Sequence, residues 1–169
     1  MIQEIIQQYD FNLRFAKILV EDLSQEQMTF CPYPGLENHP AFTLGHLITG
    51  SALIIEDLGG KYEIPDGWSE LFLRRGPGNP RLPNPDKAIY PLKEELITEL
   101  ENQHERLKHI LNLVDPFKLN EAISWRFSSY MPTLKDLLIF MCINHEAMHL
   151  GQLSAWRRAM KMPSALAMI

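Results

Sequence analysis

Residues 144–153 read NHEAMHLGQL. His145 and His149 are four apart, so on a helix they share one face and can grip one divalent ion. Glu146 completes the H-E-x-x-H pattern, in which zinc metallopeptidases use the Glu as general base. The stripe at threes and fours around them is Leu134, Leu138, Met141, His145, His149, Gln152 and Trp156, apolar at its ends and polar in its middle. Two imidazoles on a face that should pack a core need partners. A shared metal ion would satisfy both, and hydrogen bonds to core neighbours are the alternative.

A metal site needs a third ligand. The twenty residues after His149, LGQLSAWRRAMKMPSALAMI, contain no His, Asp, Glu or Cys, so every zincin arrangement with a downstream ligand is excluded. Upstream, His104 and His109 sit among charges in QHERLKH and are expected to face solvent, while His39 precedes Pro40 at a helix entrance. His46 differs: in FTLGHLITG it lies amid apolar residues, with Phe42 and Leu53 on its stripe, and is expected to point inward. If its helix runs antiparallel to that of His145 and His149, the three imidazoles can meet. Three His with an open position form a catalytic or ligand-accepting site rather than a closed structural one.

Two other residues of the motif are weaker catalytic candidates. Glu146 follows His145 by roughly 100° of helix, from where it either reaches a water at the metal or is a solvated or salt-bridging group, the expected role. Gln152, one turn beyond His149, can hydrogen-bond a ligand or orient an imidazole. Gly151 is read as permitting close helix approach, and Asn144 as facing another helix. Trp68, Phe72, Arg74 and Arg75, with Trp125, Arg126 and Tyr130, are candidates for a substrate mouth, although anchoring of loops is the commoner role of such residues.

Prolines map the elements that must position these groups, because Pro breaks a helix interior. The 12 Pro leave four long windows, 1–31, 41–64, 92–115 and 133–162. The first has helical apolar spacing from Ile2 through Leu23, and SQEQ at 24–27 has the form of a capping box. The second is apolar around most of its circumference and stops at Gly59 and Gly60. The third spaces Leu92, Leu96, Leu100, Gln103, Leu107, Ile110 and Val114 along one face. The fourth opens at Thr133 and Asp136, another box-like start, and runs as one helix to about Met160. About thirty Pro- and Gly-rich residues join the second window to the third, too many for a tight hairpin. The expected fold is therefore all-α: a single-domain four-helix bundle, up-down-down-up, with a long crossover between helices 2 and 3 that can lie over one end as a lid.

Composition agrees with one soluble domain over residues 1–169. Apolar content of 46% and charged content of 22% are ordinary, and a chain of this length buries about 70% of the surface it exposes when unfolded. A cytoplasmic protein is expected, with no membrane span and no secretory leader. The net charge of −5 argues against nucleic acid, and Arg157, Arg158 and Lys161 read as cations at a helix C-terminus. Two Cys, Cys31 and Cys142, give neither a disulfide framework nor a metal clip.

HPAFTLGHLITGSALIIEDLGG, a Pro-rich crossover with GWSELF, YPLKEEL and TLKDLLIFMCINHEAMHLGQLSAWRRAM together resemble the DinB-like superfamily of metal-binding four-helix bundles. The carrying motifs are Leu44-Gly45-His46-Leu47 and His145-x-x-x-His149 followed by Gly151-Gln152. The resemblance implies a three-His divalent site at His46, His145 and His149, holding Zn²⁺, Ni²⁺ or Fe²⁺, often in a homodimer. Characterised relatives include S-transferases using bacillithiol or mycothiol and a maleylpyruvate isomerase. By this resemblance the chain is expected to be a metal-dependent S-transferase acting on a low-molecular-weight thiol. A metal-dependent hydrolase and a non-catalytic, stress-related metal-binding module are the alternatives.

Overall fold

The computed structural model describes residues 1–74 and 82–169, and the regular elements among them are helices, apart from one isolated bridge between Ala122 and Thr133. Helix α1 (Ile2–Glu21) buries Ile5, Tyr9, Asn12, Ala16, Leu19 and Val20, the three-and-four spacing of a single face. The short α2 (Gln25–Met28) starts on the reciprocal Ser24–Gln27 box foreseen in SQEQ. Helix α3 (Pro40–Asp57) has Pro at its first position and His39 as N-cap, whose Nδ1 accepts from Phe42 N–H at 3.2 Å. It is buried nearly all round, as its sequence required. Gly59, at φ 84°, turns the chain away from its end.

The crossover carries α4 (Trp68–Phe72) before α5 (Lys93–Leu113). Leu96, Leu100, Gln103 and Leu107 form the buried face of α5 as expected, but Leu92 is the exposed N-cap rather than the first buried residue. Arg75 lies outside the described residues. The last window departs further from expectation. It is one rod, α6 (Leu134–Ile139) and α7 (Glu146–Ala159), with a π-helical segment, Phe140–His145, between them. Its start is the expected Thr133–Asp136 box.

Side-chain spacing accounts for the π segment. Buried Leu138, Cys142, Glu146 and Leu150 are each four apart, and so are Met141, His145 and His149 on the neighbouring face. In an α-helix a step of four overshoots the turn by about 40°, so three steps would carry a stripe roughly 120° round the rod. The wider π turn absorbs the overshoot. Asn12 of α1 donates from Nδ2 to the carbonyls of Cys142 and Ile143, at 3.2 and 3.3 Å, within that segment.

Helix α3 packs against α5 and α7, and α1 packs against α5 and the α6–α7 rod. The apolar interior forms two clusters. One is built around Leu19, Leu44, Leu96 and Trp156, the other around Ile5, Ile55, Leu107 and Leu138. Arg157 lies in the last turn of α7, the helix C-terminus expected for it, but it is buried. It pairs through both terminal nitrogens with the Asp22 carboxylate, at 2.5 and 2.9 Å, and donates to the Leu19 carbonyl at 3.0 Å. That pairing holds the Asp22 carboxyl below its usual range. Among the described residues no helix is long and apolar enough to cross a membrane.

Candidate metal centre

His46 enters the site from the middle of α3. Its Nδ1 lies 3.2 Å from the carbonyl oxygen of Phe72, and because a carbonyl only accepts, Nδ1 carries the proton. Nε2 is thereby left with its lone pair, the arrangement usual in a metal-binding His. Phe72 can come this close because residue 45 is Gly: a Cβ there would stand 2.3 Å from the Phe72 ring. Gly45 of the L-G-H-L motif thus shapes the seat of His46 without touching a ligand.

His145 ends the π segment and His149 follows one turn later on α7. Their rings lie 4.7 Å apart, and that of His46 is 5.2 Å from His145 and 4.7 Å from His149, centroid to centroid. One nitrogen from each imidazole falls within 4.8 Å of the other two, so the trio could hold a metal ion. Burial pushes the pKa of His46 and of His145 down to about 4 and that of His149 to about 3. At neutral pH all three are therefore uncharged, which is what a metal-binding imidazole requires.

A cavity of about 560 Å³ opens over the three rings. Its walls include Trp125, Phe127 and Phe140, which pack on one another with centroids 5.1 to 5.6 Å apart, together with Met148 and two cations, Arg74 and Arg126. No Asp or Glu is among its described lining residues. Arg74 is half-buried and fixed: Nη2 donates to Asn38 Oδ1 at 2.6 Å, and the guanidinium lies over the Phe42 ring at 5.1 Å. Asn38 Nδ2 in turn donates to Gln152 Oε1 at 3.3 Å, and Gln152 lies close enough to His149 to oppose part of the fall in its pKa. Gln152 is thus placed beside an imidazole, as one of its two expected roles requires.

Several other candidates fall elsewhere. Glu146 is buried and faces away from the cavity, with Oε1 3.0 Å from Nε2 of His104. Burial pushes its carboxyl above the usual range, with His104 acting in the opposite sense. His104, expected in solvent, is only 1% exposed and stacks on Tyr9 at 3.6 Å. Its position was readable: Leu100, His104, Leu107 and Leu111 form a three-and-four stripe as good as the one through Gln103. His109 is exposed as expected, but so is Asn144. Nothing lies within 4 Å of a Cβ built at Gly151, so the close helix approach expected there does not occur.

Of the proposed mouth residues, Arg74, Trp125 and Arg126 line the cavity. Phe72 and Trp68 pack edge to face beneath the crossover and anchor it, and Tyr130 is 87% exposed. The sequence reading missed Phe127, Phe140 and Met148. Phe140 and Met148 lie off the expected stripe, and Phe127 sits in a loop with no periodicity to mark it.

No curated protein matches the chain. The family model of the DinB superfamily matches residues 8–153, a span that takes in all three His. The chain therefore belongs to the DinB superfamily.

Proposed function

We propose that this chain holds one divalent transition-metal ion, Zn²⁺, Ni²⁺ or Fe²⁺, on His46, His145 and His149, and that its cavity receives a small-molecule substrate. S-transfer from a low-molecular-weight thiol is the activity that fits best. When bound, the ion would favour the thiolate form of such a thiol and so supply the nucleophile. The protein's own part is to keep the imidazoles neutral by burial, to set the His46 tautomer through the Phe72 carbonyl, and to wall the reaction space with Trp125, Phe127 and Phe140.

The observation that carries this reading is the open cavity of about 560 Å³ above three converging imidazoles. A closed structural centre would have a fourth protein ligand there, and a purely metal-storing module would have no use for the space. The lining favours transfer over hydrolysis, because its described residues offer no carboxylate as base for water and Glu146 is turned into the core. The same two facts speak against peptide cleavage.

The four long helices are taken, in this reading, as an up-down-down-up bundle. Support comes from the start of α5 lying at the end of α1, where Lys93 Nζ donates to the Leu23 carbonyl at 2.7 Å, and from Asn38, just before α3, meeting Gln152 late in α7. On the family resemblance alone, the working unit is taken as a homodimer. The test is metal analysis of untagged protein. Wild type is expected to carry about one transition-metal ion per chain and His149→Ala to lose most of it; equal occupancy in the two sinks the site. Screening small thiols with electrophiles against the loaded protein then separates an enzyme from a binding module.

A further inference from the structure

Arg74 stands out among the cavity residues because it is a cation without an acidic partner among the described residues that is nevertheless held in place. Its Nη2 is tied to the neutral amide of Asn38 at 2.6 Å and its plane rests on Phe42. Its Nε is buried and has no hydrogen-bond partner among the described residues. The guanidinium lines the same cavity as His46, His145 and His149. Burial lowers its pKa, the response of a cation that has lost solvent and gained no counter-charge.

Arg126 adds a second positive group to the same cavity, exposed and stacked on Phe127 at 4.7 Å. With two guanidinium groups, three neutral imidazoles and no carboxylate among the described lining residues, the cavity is electropositive even before any ion is bound. A site of one sign with low-dielectric aromatic walls concentrates ligands of the opposite sign. Arginine adds geometry to that preference, since its fork of donors matches a carboxylate.

From this arrangement we infer that the site selects substrates bearing a carboxylate, and that Arg74 is the residue that reads it while the reacting group lies at the three His. The inference deepens the proposed function and rests on it. It makes Arg74 a specificity-determining residue tied through Asn38 to Gln152 of α7, the helix that carries His149, so that the carboxylate anchor and the reacting end of a ligand are held in one register.

The test uses N-acetylcysteine and its primary amide, thiols of nearly the same size that differ in charge. Both are titrated calorimetrically into Zn²⁺-loaded protein whose metal content is measured on the same samples. Wild type is expected to bind the acid at least tenfold tighter than the amide. Arg74→Gln should bring the ratio near one by weakening the acid more than the amide, and Arg74→Lys should restore part of the preference. A ratio near one in loaded wild type, or a preference that survives Arg74→Gln, overturns the inference and leaves the metal reading intact. Protein that takes up no Zn²⁺ overturns the metal reading and this inference with it.

Discussion

Glu146 Oε1 and His104 Nε2 lie 3.0 Å apart in the core, so the Glu of the H-E-x-x-H pattern serves a partner on another helix. Glu146→Gln keeps an acceptor for His104 and is expected to retain full metal content. Glu146→Ala leaves a buried imidazole without its partner and should lower stability by about 3 kcal/mol. Metal analysis beside thermal unfolding of the two variants checks this. Loss of metal in Glu146→Gln would return the Glu to the metal centre.

Gly45 controls the site through Phe72. A Cβ at residue 45 would meet the Phe72 ring at 2.3 Å, and Phe72 supplies the carbonyl that orients His46. Gly45→Ala should therefore do two things at once. Overpacking should cost about 1–3 kcal/mol, and a disturbed His46 should weaken metal binding by about tenfold or more. Competition with a metal chelator reads the second effect, and unchanged affinity in a destabilised protein refutes the link.

Gly151 predicts the reverse. Space is open around it and it lies within α7, so Gly151→Ala should stabilise the helix by up to about 1 kcal/mol with metal content unaltered. The unfolding midpoint is then expected to rise by about 2–4 °C per kcal/mol. A fall would mean that the glycine is needed after all.

His39 gives the fold an acid sensitivity separate from the three-His cluster. Burial pushes its pKa from an ordinary 6.5 to about 4, and its Nδ1 must stay unprotonated to accept from Phe42 N–H. The unfolded chain takes up a proton below about pH 6.5 that the folded protein refuses until about pH 4, so stability falls as pH drops through that window. By pH 5 the loss from this residue should reach about 1–2 kcal/mol. His39→Asn keeps a capping side chain and should lessen the slope between pH 7 and pH 5, as measured by unfolding midpoints. An undiminished slope excludes His39 as a source.

The sequence made the four helical windows and both polar capping boxes legible, because Pro placement and local hydrogen bonding act over a few residues. It also made the convergence of His46, His145 and His149 legible, since an imidazole on an apolar stripe has few reasons to be there. What it hid is tertiary. Glu146 and His104 each look like surface charges within their own helices, and only α5 and α7 together show them as a buried pair. Arg157 was hidden in the same way, since its partner Asp22 lies 135 residues away. The cavity wall was hidden because Phe127 comes from a loop and Phe140 from a stretch whose helical period changes.

That change of period has a consequence for how this chain tolerates insertions and deletions. The π segment at Phe140–His145 holds one more residue per turn than its flanks can use, and the carbonyls of Cys142 and Ile143 are steadied by Asn12 across the interface. Removing a single residue there would let the rod close into regular α-helix with its two halves still nearly in phase, whereas removing one from a regular flank would swing the halves about 100° against each other. In that second case either Leu138 would leave the core or His145 and His149 would turn from His46. This stretch therefore acts as a phase adjuster: it can give up one residue of length where the flanking helices cannot, while His145 at its end must stay.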